Sequence, residues 1–210
     1  MTTVAERTGF ADNLILTPRS GLCLDFANTL ASRGSTPRES LHSLADLVQW
    51  CATSGAVLAG EVQAIMPWTQ RHPGPAAVVF REAIAIREMI YRIFHAVAAG
   101  GAPSDEDMVL LNRALMDAPA RASLQRSGAG FGWRTSKAKF SAAALLAPVL
   151  WSVGDLLTAP QLKQVRECAN RECLWLFLDD SKNQARRWCS MQVCGNRAKA
   201  RRHYIRRKSG

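Results

Sequence analysis

Three features of the sequence predict a mainly α chain of the α+β class: a helical N-terminal domain with a small β-hairpin, then a compact C-terminal module built on cysteines. Apolar residues recur at helical spacing through most of the first 159 residues. Four of the six cysteines stand in two pairs of equal spacing, Cys168-x4-Cys173 and Cys189-x4-Cys194. Charge is unevenly divided: residues 160–210 carry 13 Lys and Arg against four Asp and Glu, and the first 159 carry 14 against 13. A chain of 210 residues that is 48% hydrophobic suits one ordinary domain and one small one. They are assigned to residues 1–159 and 160–210, with the boundary near Thr158-Ala159-Pro160.

Residues 1–12 read as loose. Between Leu14 and Leu30, Asp25, Asn28 and Thr29 are polar residues in apolar company, and they read as caps or internal hydrogen-bond partners rather than a ligand pocket, because buried polar groups need partners. Thr36-Pro37-Arg38-Glu39 has the form of a helix start, with Thr36 as cap and Glu39 closing a capping box. Leu41, Leu44, Val48 and Cys51 then share a face, and Gly55 ends the helix. Cys23 and Cys51 read as core. A short helix is expected over Glu61–Trp68, stopped by Pro67, and a long one over Ala76–Ala99. Val79, Ala83, Ile86, Ile90, Ile93 and Val97 form the long helix's seam, with Arg81, Glu82, Arg87, Glu88 and Arg92 off it. That seam is read as core, with a dimer coiled coil as the alternative. Ser104 caps the next helix, in which Met108, Leu111 and Leu115 face inward. Ser127-Gly128-Ala129-Gly130 predicts a hairpin turn. Phe140–Leu157 reads as a central helix, kinked or restarted at Pro148.

Two cysteine loops giving two thiolates each meet the demand of a closed tetrahedral zinc site. Ordinary buried thiols or disulfides are the competing readings. The segment holds too few apolar residues to fold unaided, and nothing marks the chain as secreted. The expected order is a cysteine knuckle, a strand Leu174–Leu178, a turn at Asp179–Asn183, a return segment to Cys189, and a helix from about Gly195. That is the order of a treble-clef zinc finger, with Zn2+ as a structural ion held by Cys168, Cys173, Cys189 and Cys194.

Two motifs carry a family resemblance. Trp188-Cys189-Ser190-Met191 followed by Cys194-Gly195-Asn196-Arg197-Ala198-Lys199, with Leu176–Asn183 and Arg186-Arg187 ahead of it, resembles the CGNR zinc finger. Gly21-Leu22-Cys23-Leu24-Asp25-Phe26-Ala27-Asn28-Thr29-Leu30 is similar to the opening of the ABATE domain, which precedes this finger in bacterial proteins regarded as stress-induced transcription regulators. The resemblance maps the four cysteines onto zinc ligands and implies a role in transcription.

The basic C-terminal run is the electrostatic footprint of a phosphate-backbone binder. A solubilising tail or a membrane-surface patch is the alternative. On a helix, Arg197 and Arg201 fall on one side with Lys208, and Lys199, Arg202 and Arg206 on another. Arg186 and Arg187 flank Cys189 and are further candidates for nucleic-acid contact. The leading expectation is a DNA-binding regulator whose N-terminal domain senses a small-molecule ligand or forms a homodimer. An RNA-binding or ribosome-associated finger is second, with Trp175, Trp188 or Tyr204 stacking on bases. A metal nuclease using Asp179, Asp180 and His203 is remote, because those groups lack a catalytic spacing; no catalytic residue and no enzyme activity are assigned. No signal peptide and no apolar run of membrane-spanning length are visible, so a cytoplasmic protein is expected.

Overall fold

The computed structural model describes residues 14–16, 19–57, 59–127, 130–136 and 138–208. The expectation for residues 1–12 and the hairpin tip Gly128-Ala129 lie outside them. The fold is mainly helical, with three small antiparallel sheets among the described residues. Strand β1 (Leu14–Leu16) leads to helix α1 (Leu22–Ala27), then to the ribbon of β2 (Leu30–Ala31) and β3 (Arg38–Glu39). Helices α2 (Leu44–Thr53), α3 (Ala59–Arg71), α4 (Pro73–Ala98) and α5 (Asp105–Asp117) follow. Strands β4 (Arg121–Ser127) and β5 (Gly130–Thr135) form the expected hairpin, and β1 adds to its free edge in the order β1-β5-β4. Helices α6 (Ala142–Leu145) and α7 (Ala147–Thr158) then restart around Pro148, as that residue requires.

Helix α4 is the axis of the body: α1, α2, α3, α5 and α6 all pack on it. Its Ala83, Ile90, Ile93 and Phe94 are buried against Phe26, Leu47, Leu145 and Leu150 from the surrounding helices. Cys23 and Cys51 are core thiols. Burial pushes the Cys23 thiol up to about 12 and raises Cys51 as well, so both stay protonated and inert. Ser104 caps α5 by accepting the Asp107 N–H, and Leu111 is buried beneath it.

Three local expectations are corrected. The helix after Pro37 does not form there; Arg38 and Glu39 are extended and pair with Ala31 and Leu30. The helix begins at Leu44, where the Ser43 hydroxyl accepts the Asp46 N–H. Glu39 is diverted from the capping box because Arg87 takes both of its carboxylate oxygens, at 2.7 and 2.8 Å. Pro67 does not stop α3, which runs on to Arg71. Gln63 and Pro67 are both exposed, so water can satisfy the carbonyl that the proline leaves without a partner, while Ile65 and Trp68 pack inward on either side.

Arg87 is the third correction. The helical stripe places it off the seam, yet it is 2% exposed. Its fork reaches Glu39, Glu88 and the Thr29 hydroxyl, and Glu88 in turn takes Arg33, whose guanidinium lies 3.9 Å over the Tyr91 ring. Burial alone would raise the Glu39 carboxyl, but hydrogen bonds from Arg87 and from the Leu41 and Ser40 N–H groups outweigh it and hold the carboxyl below its usual range. The folded state therefore binds fewer protons here than the unfolded chain. The stabilisation is complete above the ordinary carboxylate pKa of about 4.3 and drains away as pH falls through the lower folded value. Glu39→Gln should cost about 3 kcal/mol at neutral pH, since it leaves a buried guanidinium short of its partner. Thermal unfolding followed from pH 7 to pH 3 should show the variant's deficit shrinking as the medium becomes acid.

Candidate metal centre and basic groove

After a 3-10 turn over Pro160–Gln164 the chain enters a hairpin, β6 (Val165–Glu167) and β7 (Leu176–Leu178), and the first cysteine loop lies between these strands. The strand after the first loop is thus shorter than expected and pairs backward with Val165–Glu167, not with the return segment. The Cys168 N–H donates to the Trp175 carbonyl at 2.9 Å and the Cys173 N–H to that of Asn170 at 2.8 Å, closing the knuckle. Leu174 takes a positive φ of 54° to make the turn. The second pair is set by a wide helical turn, Met191–Gly195, capped by Ser190 and continuous with α8 (Asn196–Lys208). Gly195 is buried under the Met191 side chain, where any Cβ would lie within 3 Å of its sulfur.

The four sulfurs of Cys168, Cys173, Cys189 and Cys194 lie within 4.8 Å of one another. Cys189 Sγ is 3.7 Å from both Cys173 Sγ and Cys194 Sγ. A tetrahedron of zinc–sulfur bonds of about 2.3 Å has edges of about 3.8 Å, so the set fits a zinc ion, and all six cysteines of the chain are free thiols. Hydrogen bonds, first from the Cys173 thiol and then from the Cys189 and Asn170 N–H groups, draw Cys168 down to about 5. Cys173 is raised because Cys168 holds its proton, and Cys189 is raised to about 12, by burial first and by the neighbouring negative sulfur second. Four sulfurs this close cannot all ionise without a cation among them. The residues are positioned to chelate a metal ion, consistent with a structural Zn2+ whose chemistry is cross-linking alone.

The finger's own core is small: Cys168, Phe177 and Cys194, flanked by Trp175, Trp188 and the other two cysteines. Val165 and Leu176 instead belong to the core of the body. Asn28 makes that junction. Its amide nitrogen donates to the Leu176 carbonyl at 2.7 Å and its amide oxygen accepts the Leu176 N–H at 3.0 Å. Tyr91 donates to Glu167 and His95 Nδ1 lies 2.6 Å from it. Gly34 presses on the first knuckle so closely that a Cβ would stand 1.8 Å from the Arg171 carbonyl oxygen.

The basic candidates have separate uses. Arg186 turns inward: it donates to the Trp188 and Cys189 carbonyls and its guanidinium lies 4.6 Å over the Phe177 ring, with Asp180 at 3.6 Å. It holds the second cysteine loop and does not stand with the exposed set. Arg187, Arg197, Lys199, Arg201 and Arg206 are exposed, and Arg202 lies in α8 with a side chain outside the described ones. Arg187, Arg197 and Arg201 line a groove of about 490 Å³ between the first knuckle and α8. Arg171 joins them there, although in the sequence it is only a lone charge between cysteines and gives no signal. Tyr204 and Ile205 are both more than half exposed, and Ile205 borders the same groove. Asp179 is fully buried and accepts from the Ser181 hydroxyl and from the Ser181 and Arg186 N–H groups, so it organises the loop; these bonds, Ser181 first, keep its carboxyl below the usual range.

A helical body joined to a four-cysteine finger with a basic helix defines the class as a zinc-finger protein of two parts. Residues 20–160 match the ABATE family, described as "Putative stress-induced transcription regulator", and residues 164–207 match the CGNR zinc finger. The chain belongs to the ABATE family and carries the CGNR finger. That description is of a regulator rather than an enzyme. No curated protein matches the chain. No helix among the described residues is long and apolar enough to cross a membrane.

Two outcomes test the site. Asn28→Ala leaves both backbone groups of Leu176 without partners and should cost about 2–3 kcal/mol in urea unfolding. Removal of zinc by a chelator should expose residues 179–208 to protease and lose the helical signal of α8, because the ion supplies on the order of 10 kcal/mol to such a module. The β6–β7 hairpin, anchored in the body's core, should stay protected.

Proposed function

We propose that the chain is a DNA-binding transcription regulator. In this reading residues 160–210 are the zinc-dependent nucleic-acid module, and residues 1–159 form a domain that senses a ligand or dimerises. The observation that carries it is the convergence of Arg171, Arg187, Arg197 and Arg201 on one groove beside the cysteine cluster. Guanidiniums grip phosphate oxygens bidentately and neutralise a backbone whose condensed counterions are then released. Zinc acts at a distance: it fixes the second cysteine loop and the start of α8, and through them the spacing of the arginines. Lys199 and Arg206 extend the charge along the helix. Contacts of this kind position the protein and do not read sequence.

RNA is the second reading, supported by Tyr204, which is 66% exposed on the basic helix and free to stack on an unpaired base. Fluorescence anisotropy with zinc-loaded protein, against duplex DNA and against RNA at several salt concentrations, separates the two. Binding to duplex DNA that weakens linearly on a log–log salt plot is expected, with RNA competing poorly. Replacing Arg197 and Arg201 together by alanine should reduce the slope by about 2. Failure of the zinc-loaded protein to bind duplex DNA at low salt overturns the proposal.

A further inference from the structure

A second concavity, of about 300 Å³, lies at the seam between body and finger. The body contributes Ser32, Ser35 and Arg38 to its wall; the finger contributes Trp175, Ser190 and Arg197. Arg197 borders this concavity and the arginine groove alike. Arg38, Arg197, Arg201, Arg187 and Arg171 therefore line two adjoining hollows with one guanidinium in common.

The other arginines on this side of the body are committed. Arg87 is buried on Glu39 and Glu88, Arg33 is paired with Glu88, and Arg19 with Asp25. Arg38 differs. It is exposed, and among the described residues its side chain has no ion-pair or hydrogen-bond partner. It sits next to Glu39 on β3, and alternation along the strand sends the two side chains to opposite faces: Glu39 toward Arg87, Arg38 toward the seam. The segment that leads to it is tied to the finger. The Ser35 hydroxyl donates to the Glu172 carbonyl, Gly34 abuts the Arg171 carbonyl, and Asn28 holds Leu176.

We infer that the nucleic-acid surface crosses the seam, with Arg38 of the body as a phosphate contact for the same duplex that the finger grips. This rests on the DNA-binding reading given above. A guanidinium with no partner among the described residues, lining a hollow that Arg197 also lines, extends the phosphate groove by one contact. The body is then part of the docking surface, and the bonds across the seam set the register between its cation and those of the finger. Among the described residues Glu172 is the one carboxylate that lines both hollows, so it opposes the phosphates at the middle of the surface.

The test uses full-length, zinc-loaded protein and duplex DNA, with salt titrations of three variants. Arg38→Ala should weaken binding severalfold and lower the log–log slope by about 0.9, the value of one phosphate contact. Glu172→Gln should tighten binding, an effect that a damaged fold does not produce. Arg81→Ala, an exposed arginine of α4 outside both hollows, should leave the slope unchanged and so controls for net charge. Zinc content and melting temperature are measured for each variant to verify folding. An unchanged slope in Arg38→Ala, a loss in Arg81→Ala as large as that in Arg38→Ala, or weaker binding by Glu172→Gln overturns the inference while leaving the finger's own binding intact. Absence of wild-type binding overturns the DNA reading itself.

Discussion

The arrangement depends on the pairing of Asn28 with both backbone groups of Leu176. A primary amide is the one side chain that presents a donor and an acceptor side by side, as a neighbouring strand does. Asn28 therefore acts as a one-residue strand on the finger's hairpin. The pair is buried, so water cannot substitute for either bond, and Leu176 packs on into the body's core. The finger is consequently held at both ends. Its hairpin belongs to the body, and its second loop and helix are tied by four sulfurs.

That division explains how so small a module keeps its shape. Among the described residues, Cys168, Phe177 and Cys194 are its only enclosed apolar contacts, too few to outweigh the entropy of ordering some forty residues by about 1–2 kcal/mol each. The metal and the body make up the difference at different places. The half-buried chain of Glu39, Arg87, Glu88 and Arg33 works on the same junction from the body's side: it fixes β3 to α4, and Arg33 lies on the Tyr91 ring whose hydroxyl reaches Glu167. Polar contacts of this kind are exacting in geometry, so they set the angle between the parts where apolar contacts alone would allow sliding.

Much of this is legible in the sequence. The cysteine spacing located the metal centre, the helical stripes located α4 and α5, and the Pro148 break located the restart between α6 and α7. What escaped depends on partners distant in sequence. Thr36-Pro37-Arg38-Glu39 satisfies every local rule for a helix start, yet Glu39 answers to Arg87, 48 residues away. Arg87 falls off the apolar seam, and periodicity reports which face a residue occupies and not whether a carboxylate waits there. Pro67 looked like a stop because the exposure of Gln63 could not be read. Arg171 escaped because one arginine between cysteines carries no pattern; only the fold brings it opposite Arg187 and Arg201.

Arg186 and Arg187 show how adjacent and identical residues come to different ends. The Ala169 N–H donates to the Arg187 carbonyl and ties this segment to the first knuckle, while Asp179 takes the Arg186 N–H. With the backbone held at both residues, the two side chains leave on different sides. Arg186 meets the carbonyls of Trp188 and Cys189 and the face of Phe177, a setting with acceptors and an aromatic surface. Arg187 meets the Trp188 ring and solvent. One guanidinium is thus consumed in shaping the second cysteine loop, and the other remains available at the groove that this shaping creates. A count of basic residues treats the two alike, whereas the hydrogen bonds assign one to architecture and leave the other exposed at the groove.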